Sequence, residues 1–461
     1  MVADLKHRLV AGDQQSKRWL ILSHGFNMDG RAASQTITDK VPYFLDAGIQ
    51  LHVLSAITGI KDTRFFHQQL IAWGPAAFRF DFRHWFANRF GRGLAYRIIT
   101  PLLSLLLLPF IFLEKILFGY SSQWSWAFPA YFVGLQLIKE GKIDLVYSTG
   151  GAWSAHLAGL WLKKKTKLPW IAEIHDPLVI RINEKDLGEQ VPKESDAKKR
   201  YWLEKEICQH ADIAWWFTDG ALYYARQRNP VLDTPGNAKG LMIIPGANPP
   251  NVESVIQNTN HHYGECLNIC HFGSLANDRS MTQVLECLPV FFSEYPEARN
   301  QIRFHVYGTQ LDATSRNFLR TRQYQENVIE HGRLEKDPIT GLTGRQQIAI
   351  RMQEADILLL LHGNSEWCRE YIPSKLYDYF WVDRPIWVIS NVNNQLDGFA
   401  RERNLYLSNV MQALSIQQEL TKIWKDWTNQ NLLFRDLKPI TVESAVKKIL
   451  DEVQKLNKKN E

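Results

Sequence analysis

The segment Glu370-Tyr-Ile-Pro-Ser-Lys-Leu-Tyr-Asp378 concentrates residue types that could do chemistry. Pro373 suits the first turn of a helix, where its missing N–H is not needed and its fixed φ is already helical. Ser374 and Lys375 then fall on that first turn. Free backbone N–H groups and the positive end of the helix dipole, with the Lys375 charge added, make a place for a diphosphate. Glu370 falls in the loop before the helix and Asp378 about one turn beyond Ser374. A carboxylate accepts from two adjacent hydroxyls at once, so the pair suits a sugar and a ribose on either side of that diphosphate. Taken alone, the segment reads equally as a capped helix with ordinary surface carboxylates.

Some chemistries are disfavoured. No Asp-x-Asp occurs, so the paired carboxylates that hold a divalent ion on a diphosphate are missing, and no Gly-x-x-x-x-Gly-Lys-Ser/Thr loop is present. Cys266 and Cys270, near His261 and His262, suggest zinc at first sight. On a strand, though, four residues span about 13 Å, too far for two ligands of one ion. No metal and no resident cofactor is expected.

The elements that must position these residues alternate. Short apolar runs at Trp19–Ser23, Leu51–Ser55, Ile143–Ser148, Trp170–Ile174, Ile213–Phe217 and Met242–Ile244 are each followed by a loop and a helical pattern. A second series follows at Leu267–Phe272, Ile302–Tyr307, Val328–Glu330, Ile357–Leu361 and Ile386–Ile389. Such runs separated by helix-length segments predict parallel sheets wrapped on both faces. The expected fold is α/β, with two doubly wound domains facing across a cleft. The break lies between Pro245 and Gly264, which gives a first domain over 1–250 and a second over 264–410. Residues 411–461 show helical spacing, and these helices are expected to return to the first domain. Open α/β sheets bind ligands at their strand C-terminal ends, so the cleft is the default site.

Length and composition set the bounds. The 461 residues, 45% hydrophobic and 22% charged, can bury a sizeable core. A net charge of +6 is too diffuse for a nucleic-acid stripe. The odd, unpatterned Cys208, Cys266, Cys270, Cys287 and Cys368 fit a reducing compartment, and the polar first eighteen residues lack the apolar run of a signal peptide. A cytoplasmic location is expected. Within an insertion over about 79–118, Ile98 to Leu113 carry no charge, and Arg79, Arg83, Arg89, Arg92 and Arg97 precede or enter it. Some sixteen uncharged residues fall short of the roughly 20 that a span needs, so residues 98–118 read as a segment docking on the inner face of a membrane. Trp73, Trp85, Trp124 and Trp126 cluster around it as interfacial rings. A buried core helix is the alternative.

The chain also resembles the retaining glycosyltransferases of family 4 (group 1), the GT-B enzymes of bacterial polysaccharide synthesis. In these, two acids with seven residues between them precede and enter a helix of the C-terminal domain. Glu370 matches the first, and Asp378 stands where the family usually has Glu. The resemblance implies that Glu370 meets donor-sugar hydroxyls and Asp378 the ribose. Ile143 to His156, Leu168-Pro-Trp-Ile-Ala-Glu-Ile-His-Asp-Pro177, Ala211–Ala214 and Met242–Asn248 are similar to N-terminal-domain segments in the same order. His175, at a strand end, and Asp176 beside it are thereby implied to position the donor or acceptor, although a structural hydrogen-bonding histidine fits as well. His271-Phe-Gly-Ser-Leu-Ala-Asn-Asp-Arg279 resembles the first loop of the donor domain, which implies donor contacts for Gly273 and Ser274. Ser274 and Ser280 replace that loop's usual Arg and Lys, leaving Arg279 and Lys375 as the phosphate cations. Gly30 matches a glycine of the turn near the diphosphate. The implied reaction moves a sugar from a nucleotide-diphosphate donor to a hydroxyl of a membrane-associated glycan or lipid-linked acceptor. A sugar-nucleotide epimerase and a non-catalytic binding protein on the same fold are the alternatives.

Overall fold

The computed structural model describes residues 18–28, 31–119, 122–179, 195–252, 263–275, 279–308, 310–391, 393–433 and 438–460. Two all-parallel sheets organise them. The first contains β1 (Arg18–Leu22), β2 (Gln50–Ala56), β3 (Phe66–Leu70), β4 (Leu145–Gly150), β5 (Trp170–Ile174), β6 (Ile213–Trp216) and β7 (Lys239–Met242), in the order β3-β2-β1-β4-β5-β6-β7. The second contains β8 (Leu267–Gly273), β9 (Ile302–Gly308), β10 (Val328–Gly332), β11 (Ile357–Leu361), β12 (Ile386–Ser390) and β13 (Tyr406–Asn409), in the order β10-β9-β8-β11-β12-β13. β5, β11 and β12 are buried along their whole length, as strands of sheets covered by helices on both faces are.

Two strands go beyond the sequence pattern. β3 reads Phe-His-Gln-Gln-Leu and β13 Tyr-Leu-Ser-Asn, and each sits at a sheet edge with a single neighbour. An edge strand need not be apolar on both faces, so its alternation is weak. β7 begins at Lys239 rather than Met242, because its N-terminal half is a polar edge as well.

The chain crosses between lobes twice, side by side. Ala247 bridges Thr441 in parallel, and its N–H donates to the Ile440 carbonyl at 2.9 Å. Gly246 makes this possible: it has φ +65°, and a Cβ there would meet the Ile440 and Thr441 backbone at 2.6 Å. After the second crossing, the C-terminal helix Val442–Asn460 packs Val442, Ala445, Val446, Ile449 and Val453 onto the first sheet, against Ile21, Phe44 and Trp215. The preceding helix, Ala413–Thr428, differs from expectation. It buries Ile416, Leu420, Ile423, Trp424 and Trp427 in the second lobe's core, so only the last helix returns.

The insertion is a helical hairpin, α3 (Pro75–Phe90) and α4 (Leu94–Phe118), following α1 (Ala32–Thr38) and α2 (Val41–Asp46). Pro101 and Pro109 lie inside α4 without ending it. At 25 residues and mean hydropathy 2.0 it is long and apolar enough to cross a membrane, so the length argument against a span does not hold. It packs along α3, the other arm of the hairpin. At its end, Glu114 accepts from the Ala76 N–H (3.0 Å) and Trp124 Nε1 (2.7 Å) of the first lobe. At its start, Arg92 of the hairpin turn reaches Glu335 of the second lobe at 2.5 Å. Only Thr100, Ile111 and Glu114 of α4 are buried, while Leu94, Leu105, Leu106, Phe110, Phe112 and Leu117 are each more than 60% exposed. The tryptophans divide: Trp73 and Trp85 are exposed, but Trp124 and Trp126 are core residues, Trp126 facing His24 edge-on.

Burial has a consequence for pH. It pushes the pKa of His67 and His271 down to about 4 and that of His156 to about 3. An unfolded histidine takes its proton near 6.5, so below that pH the unfolded chain binds protons the folded chain refuses, and stability falls with pH. The melting temperature should hold steady above about pH 7 and decline progressively between about 6.5 and 4. A flat profile across that window would contradict the burial of these rings.

Candidate functional site

The strand order of the first sheet reverses between β1 and β4, and their C-terminal ends, with that of β5, form one edge. His175 follows β5 directly. Its Nε2 lies 2.7 Å from Glu173 Oε1 and 2.9 Å from Thr149 Oγ1, and its ring centroid is 4.7 Å from that of Phe217, the planes tilted by 30°. Glu173 is fully buried, and Lys40 Nζ, also fully buried, meets its Oε1 at 2.6 Å while the Tyr147 hydroxyl donates to its Oε2. Burial alone would raise the Glu173 pKa, but Lys40 and His175 outweigh it and hold the carboxyl near 2. An ionised carboxylate can only accept, so His175 Nε2 carries a proton. Nδ1 is buried and without a hydrogen-bond partner among the described residues. Asp176 is exposed beside it, its Oδ2 3.8 Å from where a Gly151 Cβ would stand. The glycine of the β1 loop, Gly30, lies outside the described residues.

The second sheet reverses between β8 and β11. Gly273 closes β8 at φ +141°, a conformation that favours glycine, and the exposed Ser274 follows. Arg279 stands across this loop, close enough that its charge acts on His271. Its Nε is buried with no hydrogen-bond partner among the described residues.

The Pro373 turn faces the other lobe. Helix Lys375–Tyr379 spans only five residues, with Ser374 as its N-cap. Pro373 O and Ser374 O already accept from the Leu376 and Tyr377 N–H groups, so fewer backbone donors remain for an anion than a longer helix would offer. The Lys375 ammonium carries most of the positive charge there. It lines a cavity of ≈ 360 Å³ with Asp378, Thr343, Arg345 and Trp381 of the second lobe, Asp39 of the first, and Asn248–Asn251 of the crossover. Asp378 meets Lys375 at 3.2 Å and Arg345 at 3.9 Å. Arg345, absent from the sequence-based candidates, forks onto Asp39 at 2.8 and 2.9 Å. The next residue after Asp39 is Lys40, so this cavity and the His175 network share one wall.

Glu370 departs from expectation. It ends a 3-10 turn and is buried, with its carboxylate 3.2 Å from Arg228 of the first lobe. Arg228 also holds Glu204 at 2.8 and 2.9 Å, and the Glu370 carbonyl accepts from Thr218 Oγ1 at 2.7 Å. Glu370 is thus an inter-lobe strut in this structure, not an acid open to a sugar. Nothing adjacent in sequence marks Arg228 or Glu204 as its partners, since they lie 142 and 166 positions earlier. Among the described residues, no group of three or more His, Cys, Asp or Glu side chains converges as a metal site.

No protein-family model and no curated protein matches the chain. Solved structures do. An α,α-trehalose-phosphate synthase (UDP-forming) from Burkholderia vietnamiensis superposes with TM-score 0.59 at 11% identity, covering 96% of this chain and 99% of its own. The corresponding synthase of Burkholderia multivorans gives 0.56 at 9%, covering 97% and 100%. HepE of Anabaena, solved with UDP and glucose, gives 0.51 at 10%, covering 94% of each chain. Together with the two parallel sheets, these likenesses establish the fold: the chain has the GT-B architecture of two Rossmann-like domains.

The buried pair can be tested directly. Lys40→Met strands the Glu173 charge and should cost about 3–5 kcal/mol in stability, while Lys40→Met/Glu173→Gln should recover most of it. Urea melts of the three proteins decide, and a single-mutant cost below about 1 kcal/mol would rule out the pair as drawn.

Proposed function

We propose that the chain transfers a glycosyl group from a nucleotide-diphosphate sugar to a hydroxyl of a membrane-associated glycan or lipid-linked acceptor, in the cleft between the lobes. The observation that carries this reading is Lys375 in the inter-lobe cavity, sharing a wall with the His175 network. The fold adds support, as does HepE, solved with UDP and glucose, which makes uridine-diphosphate sugars the first donors to try.

In this reading the bond from the anomeric carbon to the diphosphate breaks, the diphosphate leaves with the electron pair, and the acceptor oxygen bonds to the anomeric carbon. Arg279 and Lys375 stabilise the charge that grows on the diphosphate, a service that needs no metal. The proton of the acceptor hydroxyl passes to the departing diphosphate; His175, held in register by Glu173, hydrogen-bonds a hydroxyl of sugar or acceptor, and Asp176 orients the acceptor. Asp378 takes the ribose once Lys375 turns to phosphate. Glu370 meets the donor sugar only if Arg228 releases it. By its resemblance to family 4, the reaction retains anomeric configuration. The exposed apolar face of α4 docks the protein on the cytoplasmic side of a bilayer, as cell-surface polysaccharide synthesis would need.

Arg279→Ala and Lys375→Ala should each lower turnover about tenfold or more, read as transfer from a panel of labelled uridine-diphosphate sugars. Wild-type rates in both would remove the phosphate roles, and no transfer from any donor would favour a binding protein. Replacing Leu105, Leu106 and Phe112 by Glu should abolish co-sedimentation with phosphatidylcholine vesicles, and undiminished binding would refute docking through α4.

A further inference from the structure

Asp81 is an acid that the transfer reaction leaves unused. It stands on α3, the first arm of the hairpin, and is fully buried. Its Oδ1 faces His24 Nε2 at 3.0 Å out of hydrogen-bond alignment, and neither Asp81 oxygen has a hydrogen-bond partner among the described residues. A carboxylate so enclosed is costly to keep unless a polar group comes to it, and the His24 ring is that group. Phe80 of α3 and Trp126 flank the same ring, at centroid distances of 6.0 and 5.6 Å. His24 opens the loop that leaves β1 at the reaction edge, so α3 and this loop fix one another's place.

Hydrogen bonds lead on from His24 towards the site. Its carbonyl accepts from the Ala56 N–H at 3.0 Å and from Thr58 Oγ1 at 3.3 Å, and the Thr58 carbonyl accepts from Asn88 Nδ2 of α3 at 2.8 Å. Further along the loop, the Asn27 N–H donates to Thr38 Oγ1 at 3.3 Å and the Met28 N–H to Ser34 Oγ at 2.8 Å, both on α1. Asp39 is the C-cap of α1, and Lys40 follows it. Asp39 takes the Arg345 fork of the other lobe, and Lys40 pairs with the Glu173 that holds His175. At the far end of this chain, α3 packs on α4, which buries only Thr100, Ile111 and Glu114 and leaves a row of leucines and phenylalanines exposed. An element with so few buried apolar contacts opens readily in water, and a surface that binds only its folded form holds it in place.

We infer that Asp81 is a positioning residue: through His24 it passes the seating of the hairpin on a bilayer to the β1 loop and α1, and so to Asp39 and Lys40. The bilayer thereby sets the first lobe's half of the site, while the phosphate cations Arg279 and Lys375 belong to the second lobe and keep their places. This rests on the docking and transfer readings above.

Hydrogen exchange of the full chain, with and without phosphatidylcholine vesicles, reads this coupling. Vesicles should slow the amides of 94–118, which report docking, and also those of 24–28 and 32–38, by about fivefold or more. Asp81→Asn keeps the shape of the side chain, and should retain the first effect and lose the second. Release of uridine diphosphate from the panel of uridine-diphosphate sugars should rise about fivefold or more with vesicles in the wild type and stay level in Asp81→Asn. Affinity for uridine diphosphate, measured by calorimetry, should stay within about twofold throughout, because its phosphate cations lie in the second lobe. With docking intact, wild-type amides at 24–28 and 32–38 or wild-type release that ignore the vesicles overturn the inference, and this arm needs no variant to fold. A response in Asp81→Asn equal to that of the wild type overturns it too. Vesicles that leave 94–118 unchanged refute the docking, no release from any donor refutes the transfer, and either result takes this inference with it.

Discussion

Arg228 lies between two buried carboxylates, Glu204 of its own lobe and Glu370 of the other, and the facing of the two sheets depends on that contact. None of the three charges can be exposed to an apolar neighbour without a cost of several kcal/mol, so the lobes hold together here or part with all three in water. Around it the seam is dense: Thr218 bonds the Glu370 carbonyl, and Gly220 has no room for a side chain against the Arg369 carbonyl, which a Cβ would meet at 1.9 Å. Asp39 and Arg345 form a second, partly solvated tie. The crossover zipped at Ala247 and Thr441 supplies the covalent connection, so relative motion of the lobes is constrained at each of these places and at the Arg92–Glu335 pair.

That constraint gives the chemistry its setting. Lys375 and Arg345 on one lobe and Asp39 on the other share a cavity in which two cations balance two carboxylates, Asp39 and Asp378. The Glu173–Lys40 pair holds His175 by one nitrogen, while the other is buried with no hydrogen-bond partner among the described residues. The hairpin adds direction: its apolar helix and its arginines lie on one side of the body, anchored to the first lobe by Glu114 and to the second by Arg92.

Much of this was legible in the sequence. The central strands, buried on both faces, announce themselves as continuous apolar runs, and nine of them sit within about two residues of their expected positions. β3 and β13 did not, because edge strands answer to one neighbour and tolerate Gln and Ser. The Pro373 turn was legible because proline fixes the local backbone, but its five-residue length was not, since Trp381 turns away to bond the Ala247 carbonyl across the seam. Glu370 was read as open because nothing local reveals a partner 142 positions away. The same blindness hid Arg345 and the Lys40–Glu173 pair, whose meaning exists only after folding. α4 was underestimated in length because the count stopped at the charges that bound its apolar run, whereas the helix runs on from Leu94 through Arg97 to Glu114, Lys115 and Phe118.

The central claim concerns where a diphosphate binds, and a crystal structure of the full chain soaked with uridine diphosphate tests it most directly. The account predicts phosphate oxygens within about 3 Å of the Arg279 guanidinium and the Lys375 ammonium, in the gap opposite His175. A nucleotide seated on an outer face, or with its phosphates away from both cations, would contradict it.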